Sequence, residues 1–234
     1  MKAVILAGGK GVRLYPYTSI LPKPLMPIDE YPILEIVIRQ LKKSGFNKIT
    51  ICVGHLASLI RAYFGSGDKL GLKIKYSEEE SPLGTAGPLS LIEDLDENFL
   101  LMNGDILTNL DYKDIFEKHI KSKSIATIAI CERKVPISLG IIKFDKNKNV
   151  IDYIEKPNLT HYVSMGIYVF KRNILKYISK NKFLNLPDLI KILIEKNEKI
   201  NSYLFRGKWL DIGRPEDYKE AVEIFKKNQK LFLG

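Results

Sequence analysis

The 234-residue sequence contains only two cysteines and three histidines, and both scarcities exclude kinds of site. Cys52 and Cys131 each lie in a short apolar run and form no Cys-x-x-Cys pair, so the sequence indicates neither a disulfide scaffold nor a thiolate zinc site. The histidines, His55, His119 and His161, lack the spacing of metal ligands. We interpret the cysteines as core residues and His119 as a residue on a helix surface.

Long hydrophobic runs are also missing. The apolar stretch at the N-terminus ends at Gly8 and Gly9, so it is shorter than the core of a signal peptide. No stretch approaches the ~18 apolar residues of a membrane helix. Neither a repeat nor a flexible linker is visible. We therefore expect a cytoplasmic protein without membrane contact, folded as one domain over residues 1–234.

The charge is unbalanced, at +10 from 37 basic and 27 acidic residues. A nucleic-acid-binding module with salt-dependent affinity is one interpretation of such an excess. However, the basic residues are spread along the chain and do not interleave with aromatic residues in any run. Positive charge also suits triphosphates and sugar phosphates. We expect small anionic substrates and no nucleic acid.

The hydrophobic pattern predicts a Rossmann-like, three-layer α/β fold with a mixed, mostly parallel sheet. Strand and helix patterns alternate through residues 1–105, which is typical of a parallel sheet with crossover helices. Strands are expected at 3–6, 48–53, 72–77 and 99–102, and helices at 32–44, 56–64 and 85–95. The half formed by residues 106–234 shows strands with short connections, typical of antiparallel pairing. Its strands are expected at 124–131, 141–144, 150–154, 164–170 and 200–205, and its helices at 186–196 and 215–228.

Three glycines follow the first strand almost directly, at Gly8, Gly9 and Gly11. Glycine lets the backbone come close to a ligand and turn its N–H groups toward phosphate oxygens. The loop lacks both the Lys-Ser/Thr ending of a P-loop and the third glycine of the dinucleotide fingerprint. A tight turn without a ligand therefore remains an alternative for the glycines alone.

Two cations follow the glycine loop. Arg13 stands just beyond it, where a guanidinium group could bind the β- and γ-phosphates of a nucleotide. Lys23 lies between Pro22 and Pro24, which restrict the backbone on both sides of it. A lysine held in this way is unlike a mobile surface lysine.

Asp105 follows a buried strand, at the end where ligands bind in open α/β sheets.

These motifs resemble the signature of the sugar-1-phosphate nucleotidylyltransferases, also called sugar-nucleotide pyrophosphorylases. The resemblance begins with L-A-G-G-K-G-V-R-L at residues 6–14 and P-K-P-L-M-P-I at 22–28. Family landmarks then follow in order: E-E-S-P-L-G-T-A-G at 79–87, N-G-D at 103–105, Gly140, E-K-P at 155–157 and W-L-D-I-G at 209–213. The family usually has threonine where this chain has Val12. For the C-terminal β-helix that many members carry, we expect no counterpart within these 234 residues.

The resemblance implies an in-line attack of a sugar 1-phosphate on the α-phosphate of a nucleoside triphosphate, with release of pyrophosphate. It assigns Mg²⁺ to Asp105 and Asp211, and carboxylate oxygens are ligands that Mg²⁺ prefers. Arg13 would stabilise the leaving pyrophosphate, Lys23 the α-phosphate, and Lys156 the phosphate of the sugar. Such catalysis depends mainly on positioning and charge neutralisation.

The resemblance also implies two sets of binding residues. The nucleotide would contact Leu6, Ala7, Gly8, Gly9, Gly11, Glu79, Pro82, Gly84 and Thr85. The sugar phosphate would contact Asn103, Gly140, Glu155, Lys156, Ser164, Gly166 and Trp209. For Ser164, an ordinary strand hydroxyl remains the alternative.

Glu79 bears on the choice of base. Thymidylyl members of the family have glutamine here, whereas a carboxylate can accept from both N1–H and N2–H₂ of guanine. The string P-L-G-T-A-G-P-L also resembles mannose-1-phosphate guanylyltransferases. Both features favour GTP, although a solvated acidic run at residues 78–80 would look the same in the sequence.

Other interpretations remain open. The same chemistry could use UTP, CTP or dTTP, or a phosphorylated acceptor that is not a sugar. A catalytically silent, nucleotide-binding regulatory subunit is an alternative of another class, but it predicts loss of Arg13, Lys23, Asp105 or Asp211, and all four are present. A homo-oligomer is compatible with the resemblance.

Overall fold

The computed structural model describes residues 1–233 of the chain. Its strands are β1 Lys2–Ala7, β2 Pro27–Ile28, β3 Tyr31–Pro32, β4 Lys48–Val53, β5 Lys73–Glu78, β6 Asn98–Asn103, β7 Ile106–Thr108, β8 Ala126–Pro136, β9 Ile141–Phe144, β10 Val150–Ile154, β11 Asn158–Lys171, β12 Ile200–Phe205 and β13 Trp209–Asp211. Its α-helices are α1 Ile33–Lys43, α2 Ala57–Phe64, α3 Tyr112–Ser122, α4 Leu186–Glu195, α5 Pro215–Lys227 and α6 Gln229–Leu233.

The main sheet has seven strands in the order β12-β8-β11-β6-β1-β4-β5. β11 pairs antiparallel with both β6 and β8, and the other neighbouring pairs are parallel. The prediction of a mixed, mostly parallel α/β sheet is therefore confirmed. Both expected halves of the chain contribute strands to this one sheet.

The centre of the sheet is buried on both faces, which explains the continuous apolar runs of β1 and β6. In β6, residues 99–102 are completely buried, and alternate side chains belong to different core clusters. One cluster packs the sheet against α1, α2 and α3, and the other packs it against α4 and the residues around Leu89. The carboxyl ends of β1, β4, β5 and β6 therefore lie side by side at one edge, where ligands bind in such sheets.

The expected helix at 85–95 is wrong. The structure has only a 3₁₀ helix there, Gly87–Leu91, with a proline in its first turn. The backbone N–H groups of Ala86 and Gly87 donate to the carbonyl of Leu184, at 2.8 and 3.1 Å. A distant segment thus fixes the start of this short helix through backbone hydrogen bonds.

Helix α3 was not predicted, and the placement of His119 on a helix surface is wrong. Asp111 caps the helix by accepting from the backbone N–H of Lys113 and Asp114, at 2.9 and 3.1 Å. His119 is completely buried, and its Nδ1 lies 2.9 Å from the hydroxyl of Thr127. Burial lowers the pKa of His119 to about 4, with a smaller contribution from Lys171. His119 is thus a neutral core residue at physiological pH.

β9 and β10 form a two-stranded hairpin outside the main sheet. Ile142 pairs with Tyr153 and Phe144 with Val150, so these four apolar side chains share one face of the hairpin. They remain 51–66% exposed.

Elsewhere in the fold, no helix within residues 1–233 combines the length and apolar character that crossing a bilayer requires.

Candidate functional site

The glycine loop after β1 is supported by a second loop after β4. The backbone N–H of His55 donates to the carbonyl of Gly8 at 3.2 Å. A Cβ atom at Gly54 would lie 2.9 Å from that same carbonyl oxygen, so only glycine fits there. Gly11 has φ of 61°, a conformation that glycine adopts most readily. Sequence interpretation missed Gly54 and His55, although a glycine directly after a buried strand was a visible signal.

A cavity of about 640 Å³ opens at the carboxyl ends of β1, β4, β5 and β6. It brings together many residues that the sequence singled out: Leu6, Gly8, Gly9, Glu79, Pro82, Gly84, Thr85, Asn103 and Asp105. It also contains residues that the sequence did not single out for a site, among them Cys52, Ser77 and Phe183. Burial and then the charge of Glu79 raise the pKa of Cys52 to about 12, so this cysteine remains a thiol.

A smaller cavity of about 260 Å³ shares Leu6, Gly9 and Asp105 with the larger one. Ala7, Gly11, Arg13, Lys23 and Gly213 complete most of its lining. Both predicted cations therefore lie beside the glycine loop. The guanidinium group of Arg13 packs against Gly213, because a Cβ atom at that position would lie 3.1 Å from Nη1 and 3.3 Å from Cζ.

Lys23 and Asp105 form an ion pair at the meeting point of the two cavities. The side chain of Lys23 is 10% exposed and that of Asp105 is 23% exposed. Oδ2 of Asp105 contacts Lys23, whereas Oδ1 is buried without a hydrogen-bond partner among residues 1–233. An unpartnered buried carboxylate oxygen is costly, and it is suited to accept a cation or a donor from a ligand.

Asp211 lies beside Asp105. β13 pairs with β7 so that Asp211 is opposite Ile106, and the N–H of Ile212 donates to the carbonyl of Asp105 at 3.2 Å. Desolvation and then the negative charge of Asp105 raise the pKa of Asp211, against a lowering by Lys23 and Arg13. The structure thus brings together the two aspartates that the sequence places 106 positions apart.

These residues fit a magnesium ion. Two neighbouring carboxylates repel each other, and one of their oxygens is buried without a partner. Residues 1–233 contain no group of three or more histidine, cysteine or carboxylate side chains that could enclose a metal. Mg²⁺ commonly binds to one or two carboxylates and completes its coordination with substrate phosphates and water.

Glu79 has one oxygen committed to its own loop. Its Oε2 accepts from the backbone N–H of Leu83 at 2.9 Å. Its Oε1 lies 3.4 Å from the position that a Cβ atom on Gly8 would occupy, so this oxygen faces the glycine loop. Glu79 is therefore a fixed acceptor in the large cavity, with a single oxygen left for a ligand.

Asn103, Gly166 and Trp209 are adjacent. Gly166 has φ of 70°, and a Cβ atom there would lie 2.7 Å from Nδ2 of Asn103. Trp209 donates from its indole nitrogen to the carbonyl of Met165 at 3.0 Å. Its ring lines a different cavity, of about 340 Å³, where Cζ of Arg133 lies 5.2 Å from the ring centroid. Ser164 shares a 2.9 Å hydrogen bond with the hydroxyl of Tyr168.

The remaining predicted acceptor residues are on or beside the β9–β10 hairpin. A Cβ atom at Gly140 would lie 2.3 Å from the hydroxyl of Tyr153, and that hydroxyl donates to Glu155 at 2.9 Å. Glu155 also lies 3.7 Å from the ammonium of Lys156, and both side chains are more than half exposed. Across the part of the chain that the structure describes, none of Gly140, Glu155 and Lys156 lines any of the three cavities.

Comparison with known proteins decides the family. The model of the nucleotidyl transferase family matches residues 2–228. The chain belongs to the nucleotidyl transferase family. This membership confirms the resemblance found in the sequence motifs. The glycine loop, Lys23 and Asp105 all lie within the matched residues.

Relatives within the nucleotidyl transferases differ in the base they use. A UTP–glucose-1-phosphate uridylyltransferase of Synechocystis is 33% identical over 95% of this chain and 62% of its own length. A mannose-1-phosphate guanylyltransferase of Mycobacterium tuberculosis is 29% identical over 92% of this chain and 62% of its own length. The chain therefore spans less than two thirds of the length of each of these two curated relatives.

A solved structure supports the fold of this nucleotidyl transferase. A Bacillus anthracis protein crystallised with sucrose superposes with a TM-score of 0.78 and 26% identity. The match covers 96% of this chain and 94% of the other. The fold is thus shared over nearly the entire length of both proteins.

Proposed function

We propose that this protein transfers a nucleotidyl group from a nucleoside triphosphate to a sugar 1-phosphate. The observation that carries the proposal is the Lys23–Asp105 pair, which lies beside Asp211 at the junction of two cavities. One cavity is large enough for a nucleoside, and the other is bordered by the glycine loop and Arg13. Family membership supports the same chemistry.

The reaction is an in-line displacement at the α-phosphorus. An oxygen of the acceptor phosphate forms the new P–O bond, the bond to the β-phosphate oxygen breaks, and pyrophosphate leaves with those electrons. The glycine loop donates backbone N–H groups to the phosphates. Arg13 binds the leaving pyrophosphate, and Lys23 neutralises charge near the α-phosphate. No covalent intermediate on the protein is needed.

Asp105 and Asp211 are the residues that would hold Mg²⁺. When bound, the ion neutralises phosphate oxygens and polarises the phosphorus that is attacked. The chain's own part is to keep both carboxylates beside the glycine loop, which the pairing of β13 with β7 achieves. Lys156, Glu155 and Gly140 bind the acceptor in this proposal, together with Asn103, Ser164, Gly166 and Trp209.

GTP is the donor that we favour. The free oxygen of Glu79 can accept a hydrogen bond from the Watson–Crick edge of guanine, and the M. tuberculosis relative is named for guanylyl transfer. UTP is the second candidate, because the Synechocystis relative at 33% identity is named for uridylyl transfer. With one Glu79 oxygen bound to Leu83, the preference depends on a single acceptor.

An activity matrix tests the proposal. Purified protein with Mg²⁺ is assayed for pyrophosphate release with each common triphosphate against a panel of sugar 1-phosphates and phosphorylated alcohols. We expect turnover only with sugar 1-phosphates, and fastest with GTP. Release with the alcohols alone would contradict the acceptor class, and no release with any pair would favour a silent nucleotide-binding subunit.

A further inference from the structure

A segment of the second half of the chain docks on the loop that carries Gly84 and Thr85. The N–H of Leu184 donates to the carbonyl of Leu83 at 2.9 Å, and the N–H groups of Ala86 and Gly87 donate to the carbonyl of Leu184. The hydroxyl of Thr85 accepts from the N–H of Leu186, the first residue of α4, at 2.7 Å. Residues 184–186 are thus attached to residues 83–87 by backbone and side-chain hydrogen bonds.

Steric contacts explain why this loop contains two glycines. A Cβ atom at Gly84 would lie 2.6 Å from the carbonyl oxygen of Leu184, and one at Gly87 would lie 2.7 Å from that of Lys182. Both clashes are with backbone atoms, which cannot move away cheaply. The glycines of P-L-G-T-A-G-P therefore allow the backbone of residues 182–184 to approach the loop. This approach positions the side chain of the residue between Lys182 and Leu184.

That side chain is Phe183. It is 63% exposed, yet it lines the 640 Å³ cavity. The backbone of Leu184 is hydrogen-bonded to the loop, and the carbonyl of Lys182 packs against Gly87, so Phe183 lies in an anchored segment. An exposed aromatic ring in such a place has no core to pack against, and it offers a flat apolar face to a ligand.

Phe183 and Glu79 both line the large cavity, and their segments are connected by hydrogen bonds. The connection runs through one residue, because Leu83 donates its N–H to Glu79 and accepts at its carbonyl from Leu184. A base whose edge bonds to Glu79 would occupy the cavity that Phe183 also lines. Trp209, which the resemblance assigns to the sugar phosphate, lines another cavity in the described part of the chain.

We propose that Phe183 is the residue on which the nucleobase stacks. The proposal rests on the proposed function, since it requires a nucleoside triphosphate in the large cavity. Stacking on an aromatic face tolerates different bases and is stronger for a larger ring system. Phe183 therefore contributes affinity for the base, and Glu79 contributes the choice among bases.

Nucleotide binding without an acceptor tests this directly. The dissociation constants of GTP, UTP and inorganic tripolyphosphate are measured by calorimetry with Mg²⁺ for the wild type and Phe183→Ala. Loss of stacking predicts a roughly 5- to 100-fold weaker binding of GTP and a smaller loss for UTP. Binding of tripolyphosphate, which has the phosphates but no base, is expected to be unchanged.

Matched variants separate stacking from general damage. Phe144→Ala removes an equally exposed phenylalanine from the β9–β10 hairpin and should leave GTP binding unchanged. Phe183→Tyr should restore most of the affinity, whereas Phe183→Leu should not.

Two results would overturn the inference while leaving the proposed function intact: equal GTP binding by Phe183→Ala and wild type, or an equal loss of affinity for GTP and tripolyphosphate in Phe183→Ala. A wild type that binds neither GTP nor UTP would refute both proposals.

Discussion

The glycine-loop end of the molecule and the β9–β10 hairpin are built in opposite ways, although both carry residues expected in the site. At the glycine loop, the side chain of Lys23 is 10% exposed and is paired with Asp105. Just after the hairpin, Glu155 accepts a hydrogen bond from Tyr153 and lies beside Lys156, and the side chains of Glu155 and Lys156 are 57% and 67% exposed. The first region is part of the core, and the second projects from it.

The difference lies in what positions each group. The glycine-loop end is held by the central sheet, whose strands place four loops at one edge, so its charged side chains are in position before any ligand binds. The hairpin has an apolar face that remains exposed, and a two-stranded hairpin is only marginally stable by itself. Preorganised charge contributes to catalysis without reorganisation at the moment of reaction. We therefore expect the largest effects of substitution at the glycine-loop end.

Asp105→Asn should have the largest effect. Loss of the carboxylate should lower kcat about 10²- to 10³-fold, comparable to removal of one key electrostatic partner in an active site. It also leaves the ammonium of Lys23 buried without its counter-charge, so the melting temperature should fall. Steady-state pyrophosphate release and thermal unfolding measure the two effects. The double variant Lys23→Met/Asp105→Asn should regain stability but not activity, and turnover near that of the wild type would remove Asp105 from the site.

Lys156→Ala tests whether the hairpin serves the acceptor alone. We expect the KM for the sugar 1-phosphate to rise about 10- to 30-fold, because a charge-assisted hydrogen bond to phosphate is lost. The dissociation constant of the triphosphate should be unchanged. Lys146→Ala, an exposed lysine of the same hairpin, is the control. Weaker triphosphate binding by Lys156→Ala would break the distinction between the two regions.

Glu79→Gln should change the choice of base about tenfold. The amide oxygen of glutamine can still accept from the N–H of Leu83, so the loop keeps its shape. The amide nitrogen then faces the ligand as a donor, which suits the carbonyl groups of uracil better than the N1–H of guanine. The ratio of kcat/KM for GTP to that for UTP measures the change. An unaltered ratio would show that the base is selected elsewhere.

Gly213→Ala should have the smallest effect. The added methyl group would lie 3.1 Å from Nη1 of Arg13, at the end of a flexible side chain that can yield. The free energy of unfolding should therefore change by less than about 0.5 kcal/mol. The KM for the triphosphate should rise about 2- to 5-fold, because the guanidinium is displaced. In an Arg13→Ala background the same substitution should have no further effect, and an additive effect would assign Gly213 another role.

Much of the fold was predictable because its signals are local. The alternation of strands and helices through residues 1–105 follows from hydrophobic periodicity, and strands β9, β10 and β12 have the predicted bounds. Helix α3 was missed despite apolar residues at Tyr112, Ile115 and Phe116 and the capping Asp111. Where an α-helix was expected from Thr85, the structure has a short 3₁₀ helix, and its loop is bonded to Leu184, far along the chain.

The candidate site divides in the same way. The sequence by itself determined a glycine loop after a buried strand, and a lysine held between two prolines, because these features depend on neighbouring residues. Tertiary structure alone decided that Lys23 meets Asp105, 82 positions later, and that Thr85 caps a helix 101 positions away. Such groups meet only where segments that are distant in the sequence pack against each other in the fold. The positions of Phe183 and the two aspartates follow from the same packing.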